Sequence, residues 1–303
     1  MRAETLILSS AVASMAAIAA AGANMTIQTV TVGDVGNTAD YTAYGAVNYQ
    51  YSIGKYEVTN AQYAAFLNSK AATDAYGLYN TNMATDGGIT RSGSSGSYAY
   101  STVSGRENWA VNYVSFWDAA RFSNWLQNGQ GSGDTETGTY TLTASGITNN
   151  TVTRNPGSTW AIASENEWYK AAYYKGGGLP GEYWLSPMQR SNEVTTAMAN
   201  YGRSVGTITP VGSYASFSSP YGTFDMGGNV WEWNEAIVSG VFRGLRGGLF
   251  DDSVDNVAAY TRYPASPTQE STYFGFRVVQ IPGPSSIALL AIAGLGARRC
   301  RRA

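Results

Sequence analysis

The residues best placed to do chemistry lie between Tyr221 and Glu235, in the run YGTFDMGGNVWEWNE. Fifteen positions hold two Trp, three acidic residues, three Gly and two Asn. Trp231 and Trp233 are two apart, so in an extended backbone they share one face, and Glu232 points to the other with Val230. Asp225 precedes Glu232 by seven residues, with Gly227-Gly228 between them. Glycine lets the chain turn sharply and brings its own carbonyls close to a bound group. Two carboxylates with nearby carbonyls make the hard oxygen set that Ca²⁺ accepts, usually about six to eight donors. The competing expectation is a tight turn whose acids face water and whose tryptophans are core.

What is missing narrows the chemistry further. The chain has no histidine, which removes a Ser-His-Asp triad, a His general base and the usual zinc, copper and non-haem iron sites. Its single cysteine, Cys300, lies in the extreme tail, so the body has no disulfide, no Cys-rich metal site and no thiol nucleophile. With Arg2, Glu4 and the four tail arginines set aside, 14 of 19 basic and 20 of 21 acidic residues remain, and the body carries −6. A mildly acidic body without a basic patch gives no support to nucleic-acid binding.

The elements that must position these residues are short. The 303 residues include 35 Gly and 22 Tyr, a mix that favours turns and short strands over long helices. Strands are expected near 26–32 and 47–54. Thr59 is a good N-cap for a helix whose Tyr63, Phe66 and Leu67 share one face, and the preceding Glu57 is expected to make a structural hydrogen bond. Ser115 and Asp118 have capping-box spacing before the apolar stripe Phe116, Ala119, Phe122 and Leu126, with Trp117 and Trp125 assigned to the core and Gly129 as the stop. Ser164 and Glu167 repeat that spacing ahead of Trp168, Ala171 and Ala172, in a helix expected to run to Gly176-Gly177-Gly178. Residues 69–106 read as a long loop, 139–143 as a strand, Arg246-Gly247-Gly248 as a sharp turn, and 274–279 as a closing strand. No internal period links these segments.

The two ends differ from the body. Residues 1–23 read as a secretory signal, with Arg2, an apolar run from Leu6 to Ala20 and a small-x-small pattern at Ala21-Gly22-Ala23. At the other end, Pro282-Gly283-Pro284 precedes an eleven-residue apolar run and four arginines. As a helix that run rises only about 16 Å, short of a bilayer core of roughly 30 Å, and the arginines hold it at the cytoplasmic face. This order resembles a PEP-CTERM sorting tail, with Gly283 where the usual motif has Glu. The resemblance implies export, processing by an exosortase-type enzyme, and display on the surface, outer membrane or extracellular matrix of a Gram-negative-type bacterium. Membrane contact is then through the tail alone. The domain plan is 1–23 signal, 24–281 body and 282–303 tail.

The body itself resembles the formylglycine-generating-enzyme, or sulfatase-modifying factor, family. KYEVTNAQYAAFL (55–67), VNYVSFWDAARFSNWL (111–126), the segment at 165–168, TPVGSY, FDMGGNVWEW, RGG and FGFR follow in that family's order. The third block departs: the family's Leu-Pro-Thr-Glu-x-Glu-Trp is here AIASENEW (161–168), which keeps the helix start and loses the proline. The resemblance implies an α+β fold related to C-type lectins, with little regular secondary structure. It also implies a calcium site from the Asp225 side chain, the Gly228 and Val230 carbonyls and Glu232, and in part a second site at Asn200 and Tyr201. Enzymes of this family oxidise a substrate cysteine with a copper-holding cysteine pair shortly after the RGG turn, and other branches hold iron through histidines. RGGLFDDSVDNVAAYTR (246–262) has neither residue, so no copper or iron is expected.

Three functions follow as expectations. The first is a non-catalytic exported protein that binds an extracellular protein or polysaccharide. The second is a protein-modifying oxidoreductase of the same family acting through Asp251, Asp252, Asp255 and Arg262, whose alternative is a solvated acidic loop. The third is a glycan-binding module using exposed Trp and Tyr.

Overall fold

Three small sheets and four helices make the body in a computed structural model that describes residues 24–177 and 182–283. The proposed signal segment, and the tail from Pro284 onward, lie outside the described residues. Among the described residues no helix is long and apolar enough to cross a membrane.

The elements run β1 (Thr29–Val32), β2 (Tyr51–Gly54), α1 (Asn60–Lys70), β3 (Ile89–Ser92), β4 (Ala99–Thr102), α2 (Phe116–Gln127), α3 (Ala144–Thr148), β5 (Trp160–Ile162), α4 (Glu165–Tyr173), β6 (Trp231–Val238), β7 (Phe242–Arg246), β8 (Tyr263–Ala265), β9 (Phe274–Phe276) and β10 (Val278–Gln280). One antiparallel sheet has the order β1-β2-β10-β5, a second is the β3-β4 hairpin, and the third has the order β8-β7-β6-β9, with β9 parallel to β6.

The helices start where local chemistry says they should. Ser115 accepts from the Asp118 amide while Asp118 accepts from the Ser115 amide, and Ser164 and Glu167 do the same for α4. Thr59 and Gln62 form a third reciprocal cap. Each satisfies two backbone donors that the first turn leaves open, which contributes about 1 kcal/mol per cap. The apolar faces meet at one core: Phe122 lies edge-on to Phe66 at 5.5 Å and to Phe276 at 5.3 Å, and Trp117 and Trp125 are buried.

Four expectations need correction. The stretch 69–106 contains the β3-β4 hairpin and a 3₁₀ turn over Thr81–Ala84. Each strand has only one buried side chain, Ile89 or Tyr100, so the alternation was too thin to read. Residues 139–143 make no strand, only a single bridge from Tyr140 to Arg154. The Asn124 side chain takes the Tyr140 amide (2.7 Å) and donates to its carbonyl (3.0 Å), the groups a ladder would use. Helix α4 stops at Tyr173 because Tyr174 is extended and Lys175 donates to the Glu182 carbonyl, starting a crossing with 182–184. Finally, the closing strand is two strands in two sheets. The chain passes from β9 to β10 at Arg277, and that crossing delivers its side chain to the interior.

Candidate functional site

The signature segment enters β6 as expected, with Trp231 and Trp233 on alternate positions and both buried. Trp233 donates to the Val114 carbonyl at 2.9 Å, which ties the strand to the start of α2. Glu232 does not face water. It is fully buried, and its two oxygens accept from Arg277 Nε and Nη2 at 2.6 Å each, while Trp168 Nε1 donates to Oε2 at 2.8 Å. Arg277 spends its other donors on the Gly54 and Phe224 carbonyls. A bidentate, charge-assisted pair of this kind is among the strongest in proteins, and its loss leaves a buried charge.

Two further carboxylates share this interior. Glu57 is buried and accepts from Asn229 Nδ2 at 2.8 Å, the structural bond expected of it, but its Oε2 has no hydrogen-bond partner and lies 3.9 Å from Arg277. Burial, and then the nearby Asp225, raise its pKa well above the carboxylate range, against the pull of Arg277. Asp225 sits at φ +58° and accepts from the Gly212 amide. Burial pushes its carboxyl up to about 6, with the Gly212 amide and Arg277 working the other way. Burial also works against the Arg277 charge, but Glu232, Glu57 and Asp225 together outweigh it and raise its pKa.

Three carboxylates therefore surround one guanidinium, and one carboxylate oxygen is orphaned. In charge terms this fits a divalent cation, which would balance the surplus. No cluster of three acidic side chains is spaced to hold a metal among the described residues, and both Glu232 oxygens already accept from Arg277 and Trp168, so such a cation would depend on Asp225 and backbone carbonyls, with Glu232 joining only by exchanging those bonds. The backbone at the turn is tightly built: a Cβ on Gly228, at φ +83°, would lie 2.2 Å from the Asn200 carbonyl oxygen. At the second expected site, Asn200 is buried and donates to the Thr207 carbonyl, while its Oδ1 has no partner. Tyr201 points its hydroxyl to the Val194 carbonyl.

The loop after the RGG turn builds something different. It lines an open cleft of about 620 Å³ with Trp231, Leu249, Asp252, Asn256, Thr261, Arg262, Tyr263, Gln269, Ser271, Tyr273 and Phe274. Gly247 and Gly248, at φ +104° and +79°, make the expected turn into it. Asp252 caps that turn by accepting from the Leu249 amide at 3.1 Å. Burial raises its carboxyl, while hydrogen bonds from Leu249, Asn256 and Trp231 oppose the rise. Arg262 pairs with Glu165 at 2.7 Å, and Glu165 also receives Arg246. One carboxylate from the start of α4 thus serves two guanidiniums.

The four loop candidates are not one group. Asp252 and Arg262 share the cleft. Asp251 is held outside by the exposed Arg203, and Asp255 accepts from Tyr260 at the surface. Of the sorting motif, Pro282 and Gly283 follow β10 on the surface, and Pro284 lies outside the described residues. Sequence reasoning missed Arg277, Trp168, Asn229 and Glu165 as partners. The FGFR and RGG blocks contained two of the arginines, but nothing local told where they point.

Comparison with known proteins agrees with this fold. Residues 19–281 match the sulfatase-modifying factor enzyme 1-like domain. The crystal structure of CarF superposes with a TM-score of 0.56 at 23% identity, over 85% of this chain and 99% of that one. Treponema denticola variable protein 1 superposes with a TM-score of 0.54 at 21% identity, over 84% and 95%. At those identities the likeness is one of fold, α+β and C-type-lectin-like. Serine/threonine-protein kinase pkn1 of Chlamydia caviae is 32% identical over 104 residues, 28% of this chain, and Pkn1 of Chlamydia trachomatis is 32% identical over 135 residues, 38% of this chain. This chain covers only 16% and 20% of those two proteins.

Proposed function

Because this chain belongs to the sulfatase-modifying factor enzyme 1-like domain family, we propose that it is an exported binding protein that uses the family scaffold without cysteine oxidation. One observation carries this reading: the loop where the family resemblance calls for a thiol pair, 249–262, lines an open cleft with amide, hydroxyl, carboxylate and guanidinium groups and no thiol or imidazole. Such groups bind and orient a ligand, but they do not hold copper(I) or iron in the manner of that family. The partner is an extracellular protein or polysaccharide, reached after export through the leader and an exosortase-processed tail. Incubation with copper and a panel of thiol peptides tests the reading. No turnover is expected, and aldehyde formation on any peptide overturns it.

The cleft favours a second reading in one respect. Asp252, with its raised carboxyl, and Arg262 share one open site, as a protein-modifying enzyme would need. Loss of an assayed activity in Asp252→Asn, with the fold intact, would establish that reading.

The scaffold reading includes a structural Ca²⁺ on Asp225, Glu232 and the Gly228 and Val230 carbonyls. The surplus negative charge around Arg277 supports it. The ion's chemistry there is charge balance and cross-linking of the turn, not catalysis. Metal analysis of the purified protein, expected to find calcium without copper or iron, tests it.

A further inference from the structure

We infer that the cleft behind the RGG turn takes a carboxylate-bearing saccharide, with Arg262 receiving the carboxylate, Asp252 and Asn256 the ring hydroxyls, and Tyr263 and Tyr273 the apolar face of the ring. This rests on the binding reading above and names the ligand class of that same site.

The charge arrangement comes first. Arg246 is buried and fully engaged: it meets Glu165 Oε1 through Nε at 2.9 Å and Nη2 at 2.7 Å, and donates to the Ala259 and Thr261 carbonyls at 2.8 Å each. Arg262 shares the same glutamate through Nη2 alone. Its Nε is buried without a hydrogen-bond partner, while the side chain as a whole lines the cleft. Glu165 is shared by two guanidiniums, and the Arg262 side chain, bound to it through Nη2, is 25% exposed at the cleft. A guanidinium in this state calls for a planar, anionic, two-oxygen partner.

The remainder of the lining separates a saccharide from an acidic peptide. Asp252, Asn256, Thr261, Gln269 and Ser271 line the cleft beside Arg262. They offer alternating acceptors and donors, the complement of a ring bearing several hydroxyls. Asp252 repels a second negative charge but accepts readily from a hydroxyl. Tyr263 and Tyr273 are 47% and 37% exposed, and each is braced from behind, Tyr263 by Trp231 at 5.7 Å and Tyr273 by Phe250 at 6.0 Å. Half-exposed, braced rings present flat faces to C–H groups at little cost in side-chain freedom.

The test is equilibrium binding of the full purified chain to three polymers: polygalacturonate, the same polymer with its carboxylates methyl-esterified, and polyglutamate. Polygalacturonate is expected to bind, with at least tenfold weaker binding to the ester and to polyglutamate. Arg262→Gln is expected to lose about tenfold. Because that change also strips one partner from Glu165, Tyr263→Ala and Asn256→Ala provide cleft variants that leave the Glu165 ion pairs alone, and each is expected to weaken binding while the chain still unfolds in one cooperative step. Equal binding to the ester, equal or tighter binding to polyglutamate, insensitivity to all three variants, or no binding overturns the assignment. A cleft-dependent preference for the ester overturns the carboxylate while leaving a binding protein. Turnover of a thiol peptide removes the binding reading itself.

Discussion

Arg277 and Arg262 each face a glutamate, yet one guanidinium is wholly buried and the other opens onto a cleft. Around Arg277 every guanidinium donor group has an acceptor: both oxygens of Glu232 and two backbone carbonyls. Around Arg262 the ion pair runs to a Glu165 already engaged by Arg246, its Nε is left without a partner, and the side chain is 25% exposed. The same residue types serve opposite ends. Where a guanidinium is saturated and dry it fixes the fold; where it is part-exposed and shares its carboxylate it is available to a ligand.

Removing one member of the dry pair should have the largest effect. Arg277→Ala strands Glu232 and Glu57 in the interior, at a cost of about 3–5 kcal/mol, a large share of a typical domain's stability. Chemical denaturation should show a chain that is unfolded or barely folded. A loss under 1 kcal/mol would mean that water reaches this cluster and that the comparison is wrong. Calcium should come next. At a hundredfold excess over its dissociation constant it adds roughly 2.7 kcal/mol, so a melting curve in chelator should fall well below one in calcium. Coincident curves would show that protons, not a metal, settle the surplus charge.

Gly228→Ala tests the turn that carries the cluster. Its Cβ would meet the Asn200 carbonyl at 2.2 Å in a positive-φ conformation, so a loss of about 1–3 kcal/mol is expected. A weaker effect follows from pH. Asp118, in the capping box of α2, is raised by burial to about 7, against the hydrogen bonds from Ser115. The folded state therefore holds this proton more tightly than the unfolded chain, and the stability it contributes declines as pH rises from about 4 toward 7. The melting temperature of the native chain minus that of Asp118→Asn should be larger at pH 5 than at pH 8, and a flat difference would refute it. Smallest of all, Asp251→Ala removes a surface pair with the exposed Arg203, and melting should not change.

Local chemistry was legible in the chain, and long-range partnership was not. Two capping boxes and the Thr59 cap, the alternation of Trp231 and Trp233 and the glycine turns at 227–228 and 247–248 depend on neighbours within a few residues, so spacing alone reveals them. The ordered blocks from 55 to 277 gave the family and hence the fold. The hairpin at 89–102 was missed because two four-residue strands with one inward side chain each give no period. The strand at 139–143 was over-read because its pattern ignored Asn124, sixteen residues away from Tyr140, which takes both of its backbone groups.

The candidate site divides in the same way. Composition alone removed histidine and thiol chemistry from the body and pointed to Asp225 and Glu232 as the acids of interest. Only the fold decided that Glu232 belongs to Arg277, because the strand holding that arginine changes sheets 45 residues later in the chain. Only the fold, too, separated Asp252 and Arg262 from Asp251 and Asp255. Adjacent residues in a loop point in different directions, and whether a charge is dry, paired or open depends on segments such as α4 that the loop meets in space. A sequence lists donors and acceptors; burial and direction, which set their free energy, belong to the tertiary structure.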